Sequence, residues 1–322
     1  MPKDNLEEYV KMQYRKLGKS DLKVSEIAFG CWAIGGWMWG PADDNESIQA
    51  IQRALELGIN FFDTADIYGH GHSEEILASA LENRRREVII ATKVGVRYEN
   101  KKFRIDLSPE YIKQALDASL KRLRTDYIDL YQVHWPDLNT PLEVTFEALN
   151  ECVKQGKIRY IGVSNFNSEQ LIESLKYSKI ISHQPPLNLF KRDYEISVIP
   201  YCFKENIGVI PYSPMAKGLL TGKYQSDAVL EDMARAGDPL FKGRAFKRNL
   251  AIIEALKRFA EKSNKNVAQL AIAWVLSHPA VTAVLCGARC STQIETSVGA
   301  VGWRFSQKEL SKIETILATT TA

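Results

Sequence analysis

The sequence lacks most of the features that mark an unusual environment. No apolar run approaches the roughly 20 residues that a membrane helix needs, so no membrane segment is expected. The opening MPKDNLEEYV has neither the basic start nor the apolar centre of a secretory signal, and residues 1–13 read as a loosely ordered extension. The five cysteines, Cys31, Cys152, Cys202, Cys286 and Cys290, are odd in number, widely spaced and without a CxxC. That usage suits a reducing, cytoplasmic setting. Cys286 and Cys290 stand four apart with no further Cys/His pair to complete a zinc site, and His70-Gly71-His72 has no third ligand, so no metal is assigned. A net charge of +3, with basic residues scattered in groups such as Arg84-Arg85-Arg86, is too small to argue for nucleic acid.

Catalytic signatures of several classes are missing too. There is no GxSxG nucleophile turn and no HExxH. Gly69-His70-Gly71 starts like a dinucleotide-binding fingerprint, but Glu74 occupies the place of its third glycine, which excludes a Rossmann domain. No linker-like or low-complexity segment divides the chain, so residues 14–322 are expected to form one domain.

What the sequence does have is a repeated pattern: a short β-rich run, a polar or glycine-containing turn, then an amphipathic helical stretch. The strand candidates are Glu26–Gly30, Asn60–Asp63, Val88–Lys93, Ile128–His134, Tyr160–Val163, Ile181–Gln184, Val209–Tyr212 and Thr282–Gly287. Helix signals lie between them, such as Ser108-Pro109-Glu110 as cap and first turn, and Gly156 closing a helix that starts near Pro141. Eight strands alternating with helices in 322 residues predict an α/β fold, a closed (β/α)8 barrel. It would carry an N-terminal hairpin, a long loop after strand seven at about Ala216 to Lys247, helices at about Leu250–Phe259 and Val267–Leu276, and an extra C-terminal helix over Gln307–Leu317.

On this map the unusual polar residues fall where strands end: Asp63, Lys93 and His134, then Ser164-Asn165, Gln184, Tyr212 and Gly287-Ala288-Arg289. In a barrel the carboxyl ends of all strands meet at one mouth, where active sites lie. Lys93 follows the apolar VIIAT, and a half-buried lysine requires a carboxylate partner, for which Asp63 is the obvious candidate. A tyrosine titrates near ~10, and an adjacent cation lowers that value. Tyr68 with Lys93 beside it therefore reads as a proton donor, and His134 as the group that orients or polarises the oxygen receiving the proton. Such a pair suggests carbonyl reduction, which needs a hydride from a nicotinamide or a flavin.

These residues come with longer blocks: FFDTADIYG, ATKVG, LKRLRTDYIDLYQVHWPD, GKIRYIGVSNF, PYSPMAKGLLTGKY and CGARCSTQ. In order and spacing, from about Tyr14 to Leu317, they resemble the aldo-keto reductases, and the loop with FKGRAFK is similar to the family's bacterial branch. The resemblance implies an NADPH-dependent reductase of aldehydes or ketones, with NADH as the alternative cofactor, and a catalytic set of Asp63, Tyr68, Lys93 and His134. It implies cofactor contacts from Gly30, Cys31, Trp32 and Asp63 at the first two strand ends. Ser164, Asn165 and Gln184 would meet the nicotinamide amide and Tyr212 would stack on its ring. Ser213, Pro214, Met215, Lys217, Gly218, Leu219, Gly222 and Lys223 would lie along the pyrophosphate, with Gly287, Arg289 and Gln293 toward the adenosine. Arg289 would face a 2′-phosphate, where a guanidinium favours NADPH.

Trp32, Tyr68, His134 and Trp135 are expected to line the substrate pocket. The sequence departs from the family pattern at Cys31, where threonine is common, at Cys286, where proline is, and at Thr296-Ser297, which replace a frequent Glu-Asn pair near the adenine. Two other readings compete. One is a nucleotide-binding regulatory or redox-sensing subunit with slow turnover, since the family includes β subunits of voltage-gated potassium channels. The other is a barrel hydrolase or isomerase using Asp63 and Asp66, which leaves Tyr68 without a role. The partner expected is a small carbonyl compound, and nothing in the sequence sets the oligomeric state.

Overall fold

The computed structural model describes residues 11–230 and 232–319, so most of the expected N-terminal extension lies outside the described residues. A hairpin of β1 (Tyr14–Lys16) and β2 (Lys23–Ser25) comes first. Next are β3 (Ile27–Gly30), α1 (Asp44–Glu56), β4 (Phe61–Asp63), α2 (His72–Leu81) and β5 (Ile89–Val94). A second hairpin follows, β6 (Val96–Glu99) and β7 (Lys102–Ile105), then α3 (Pro109–Arg122), β8 (Ile128–Val133), α4 (Leu142–Lys154) and β9 (Ile158–Ser164). The chain continues through α5 (Ser168–Ser174), β10 (Ile180–Gln184), α6 (Val198–Lys204), β11 (Gly208–Val209), α7 (Met233–Ala236) and α8 (Gly243–Glu261). It ends with α9 (Val267–Leu276), β12 (Val284–Gly287), α10 (Ser291–Val298) and α11 (Gln307–Thr319).

Among the described residues eight strands join side by side, all parallel, in the order β11-β10-β9-β8-β5-β4-β3-β12. The two ends of that row meet: Val209 bridges Val281, the Thr282 N–H donates to the Val209 carbonyl at 2.8 Å, and the Leu285 N–H to Pro211 at 3.0 Å. The sheet thus closes into the expected (β/α)8 barrel.

Side chains alternate in and out along each strand. Phe29, Phe62, Ile90 and Tyr131 face outward into one apolar layer under the helices, while Ala28, Phe61, Ala91 and Leu130 face inward. Leu17, Leu22 and Val24 of the first hairpin join the inner cluster, so that hairpin closes the barrel floor. At 25 cal/mol per Å², each such fully buried leucine or valine contributes roughly 1.5–3 kcal/mol.

Three expectations are corrected. Strand seven, read as Val209–Tyr212, keeps a ladder only over Gly208–Val209, because Pro211 has no N–H to donate; Tyr212 rejoins the sheet through a bridge to Pro186. The segment after it is not an open loop to Lys247. It forms 3-10 turns at Ala216–Thr221 and Pro239–Phe241, then α7, and α8 begins at Gly243 instead of Leu250. Phe246, Asn249, Ile252, Ile253 and Leu256 form its buried face, which the surrounding Lys and Arg residues obscure in the sequence. The third correction is an addition: the β6–β7 hairpin, in a stretch the sequence leaves unassigned.

Candidate active site

Inward parity decides which side chains reach the barrel mouth. Two residues on from inward Phe61, Ala91 and Leu130 come Asp63, Lys93 and Gln132, and all three are buried. Gly162 leaves room for them, since a Cβ there would sit 3.1 Å from Gln132 Cγ and 2.4 Å from Ser182 Oγ.

The Lys93 ammonium donates to Asp63 Oδ1 at 2.5 Å, to the Thr64 carbonyl at 2.9 Å and to the Tyr68 hydroxyl at 3.3 Å. Its three protons are thereby accounted for, as a buried cation requires. Asp63 Oδ2 accepts from Gln132 Nε2 at 3.0 Å and from Gln184 Nε2 at 2.8 Å. Gln132 is absent from the sequence reading because it sits inside the apolar run IDLYQV. A signal for it exists: it lies two residues before His134, which directly follows β8.

Tyr68 is carried by the turn Tyr68–Gly71, which crosses the turn Ala33–Gly35 with almost no space between backbones. A Cβ on Gly69, at φ +58°, would lie 2.3 Å from the Gly35 carbonyl oxygen, so two glycines are what allow this crossing. It sets the Tyr68 ring against Trp32 at 5.9 Å and edge-on to His134 at 5.8 Å.

Burial holds the Tyr68 hydroxyl well above its usual pKa, and the Asp63 carboxylate adds to that. The net shift is therefore upward, where a lowered value is expected from the neighbouring cation. Asp63 bonds Lys93 directly and offsets much of its charge, and the sequence does not show how deep the site is. The His134 imidazole is pushed well below its usual value by burial and then by Lys93. Its backbone N–H bonds the Val94 carbonyl at 3.0 Å, and its ring Nδ1 is enclosed without a hydrogen-bond partner among the described residues.

Beyond His134 the polar residues at the next strand ends bond one another. Ser164 Oγ donates to the Gln184 carbonyl at 2.7 Å, and Asn165 Nδ2 to the His134 carbonyl at 2.9 Å and Ser164 Oγ at 3.0 Å. The Tyr212 hydroxyl donates to Asn165 Oδ1 at 3.0 Å. These groups edge a cavity of about 900 Å³ that also takes in Asp63, Tyr68 and His134.

The far end of the cavity is basic. Lys217 is paired with Asp238 at 2.8 Å and Arg235 with Asp232 at 3.4 Å. Among the described residues Arg289 and Lys223 have no salt bridge, and Arg289 donates to the backbone carbonyls of Trp39 and Pro41. Burial and then Arg235 pull both groups below their usual pKa, the mark of like charges confined together. Such a cluster accommodates the phosphates of a dinucleotide.

Most residues named from the sequence line this one cavity: Gly30 and Trp32; Ser164, Asn165, Gln184 and Tyr212; Ser213 to Met215; Lys217, Gly218 and Lys223; Gly287, Arg289 and Gln293; and Trp135. Lys93, Cys31, Leu219 and Gly222 do not; Lys93 is fully buried behind Asp63 and Tyr68 and reaches the site through them. Cys31 and Leu219 are fully buried in the apolar layer, and Gly222 turns away toward Lys257 and Val267. Cavity residues that the sequence leaves unassigned include Met38, Ile67, Val96, Phe103, Ile105 and Arg235.

Comparison with known proteins agrees with this architecture. The model of the aldo/keto reductase family matches residues 26–318. Aldo-keto reductase YhdN of Bacillus subtilis (strain 168) is 40% identical over 313 residues, 96% of this chain and 95% of that protein. L-glyceraldehyde 3-phosphate reductase of Escherichia coli (strain K12) is 36% identical, over 98% of this chain and 95% of its own. Among solved structures, the glycerol dehydrogenase AKR11B4 from Gluconobacter oxydans superposes with a TM-score of 0.89 at 38% identity, covering 96% of each chain.

Proposed function

Because the chain belongs to the aldo/keto reductase family, and is thus an oxidoreductase that works with a nicotinamide cofactor, we propose that it reduces an aldehyde or ketone to the alcohol with Tyr68 as proton donor and NADPH as preferred cofactor. The observation that carries this reading is the Lys93 ammonium held between Asp63, at 2.5 Å, and the Tyr68 hydroxyl, at 3.3 Å. Burial keeps that hydroxyl protonated at neutral pH, so it has a proton to give. As the proton leaves, negative charge grows on the phenolic oxygen beside a fixed cation in a dry site, where such an interaction is strong.

His134 is suited to hold the carbonyl oxygen. Its depressed pKa keeps the ring neutral, and among the described residues Nδ1 is enclosed without a partner, so the tautomer that serves this role carries its single proton on Nε2. That leaves one oriented donor at the cavity wall. The nicotinamide, when bound, supplies the hydride. Ser164, Asn165 and Gln184 would hold its amide, Tyr212 its ring, and Arg289 with Lys223 the phosphates, where two cations without a salt bridge among the described residues favour the additional phosphate of NADPH. The relatives' names include a dehydrogenase of glycerol and a reductase of a phosphorylated triose, so similarity leaves the carbonyl partner open.

The test is consumption of NADPH with 4-nitrobenzaldehyde and methylglyoxal, comparing wild type with Tyr68→Phe. The variant keeps the ring and loses only the donor. A loss of at least ~100-fold with unchanged NADPH affinity is expected for a general acid; equal rates would remove Tyr68 from the chemistry.

A further inference from the structure

The substrate end of the cavity has a wall whose chemistry selects its ligand. In the β6–β7 hairpin, Val96 pairs with Ile105, Arg97 with Arg104, Tyr98 with Phe103 and Glu99 with Lys102. Paired residues share a face, so one face is wholly apolar and the other wholly charged. The apolar face supplies Val96, Phe103 and Ile105 to the cavity. It packs on Trp37, whose ring lies 4.9 Å from Tyr98 and 5.6 Å from Phe103. The charged face is occupied elsewhere: Arg97 bonds Glu99 and, at 2.7 Å, Asp106, and stacks on Tyr111.

Two further observations bear on the ligand. Phe103 is 52% exposed although it sits on the apolar face, so a ring over the cavity is left for something else to cover. The Lys and Arg residues that line the cavity are Lys217, Lys223, Arg235 and Arg289, none of them on the hairpin; Lys93 is held by Asp63, and Arg235 lies over the Trp39 ring at 5.0 Å, bonded to Tyr224 at 2.6 Å and paired with Asp232. A phosphate or carboxylate at the hairpin end would lose water against Val96, Phe103 and Ile105 and find no cation on that face, which disfavours it.

We infer that the carbonyl substrate is uncharged and has an aromatic or extended apolar body, which lies on the inner face of the β6–β7 hairpin against Phe103 and Trp37. This rests on the carbonyl-reductase reading above. The hairpin is then the element that sets specificity, and it acts on the body of the substrate, away from the Tyr68 hydroxyl.

The experiment compares kcat/KM for 4-nitrobenzaldehyde, glyceraldehyde and glyceraldehyde 3-phosphate, in wild type and Phe103→Ala. In parallel, calorimetry measures benzyl alcohol and glycerol 3-phosphate binding to the enzyme–NADPH complex, in which neither alcohol can react. Expected are a ~10-fold loss for the aryl aldehyde in Phe103→Ala with glyceraldehyde within about twofold, the phosphorylated triose below its neutral parent, and benzyl alcohol bound more tightly than glycerol 3-phosphate. Equal losses on all three substrates, or tighter binding of the phosphate ester, would overturn the inference. Tight binding of benzyl alcohol with no turnover of any carbonyl would uphold the ligand class while sinking the reductase reading.

Discussion

Lys93 and Asp63 form an ion pair at 2.5 Å, and both side chains are almost wholly inaccessible, at 0% and 3% exposed. Two glutamines complete the shell of the carboxylate. Removing one member of such a pair leaves an uncompensated buried charge, at a cost of about 3–5 kcal/mol. Lys93→Met is therefore expected to lower unfolding free energy by that order and to reduce kcat by ~100-fold or more. Adding Asp63→Asn removes the stranded charge, and denaturant unfolding should recover at least half of the lost stability while activity stays low. If the double variant is as unstable as the single one, charge burial is not what Lys93→Met exposes.

Acid sensitivity has an identifiable contributor in His183. It is fully buried on β10, its Nε2 lies 2.9 Å from the Phe166 carbonyl, and burial pushes its pKa down to about 4. An unfolded histidine takes up its proton near ~6.5. Between those values the unfolded chain binds the proton and the native one does not, so stability is intact above ~6.5 and falls as pH drops toward 4. The full span amounts to about 3 kcal/mol, of which about 2 kcal/mol is lost by pH 5. Urea unfolding of wild type and His183→Gln at pH 7 and pH 5 should show that the variant loses less by about that amount. An identical pH response in the two proteins would assign the slope to other groups.

The contrast between what could and could not be read in the sequence follows from period and depth. The barrel strands are legible as short β-rich runs, and three of them, FFD, IIATKV and IDLYQV, carry an inward-facing polar residue at or one position before their end. Asp63, Lys93 and His134 came with them. The β6–β7 hairpin was not legible, because VRYE and KFRI alternate charge with apolar residues over only four positions each and resemble a solvated loop. Its apolar face becomes visible only once the register is known. The direction of the Tyr68 shift was missed for another reason: sequence neighbours suggest which charges are present, whereas burial and the Lys93–Asp63 pairing decide how much of each is felt.

At the other end of the cavity, Arg289 offers a separation of two roles. Its guanidinium donates to the Trp39 and Pro41 carbonyls, and it has no carboxylate partner among the described residues. If it meets the additional phosphate of NADPH, Arg289→Leu should raise the NADPH dissociation constant by ~10–100-fold, as loss of a charged hydrogen bond does, and leave NADH within about threefold. Tryptophan fluorescence titration with each cofactor measures both. Equal weakening of the two would mean that Arg289 acts by holding the Trp39 turn in place.

The crossing of Gly69 over Gly35 makes the last prediction, because it separates backbone strain from steric collision. Gly69→Ala would put a Cβ 2.3 Å from the Gly35 carbonyl oxygen, and it would do so at φ +58°. Gly40 also has a positive φ, +79°, but a Cβ there meets nothing within 4 Å. Gly40→Ala thus carries only a conformational cost, of order ~1–3 kcal/mol at φ +79° and ψ 176°. Gly69→Ala carries a left-handed cost of order ~1 kcal/mol and also forces two backbones apart beneath Tyr68, whose hydroxyl must stay within reach of Lys93. A displacement of about 1 Å at a proton donor costs ~100-fold in rate. The expected result is a modest fall in melting temperature with near-normal kcat for Gly40→Ala, and a larger fall with kcat reduced toward that of Tyr68→Phe for Gly69→Ala. Normal kcat in Gly69→Ala would show that the turn can shift without moving the hydroxyl, and that the close glycine crossing serves packing alone.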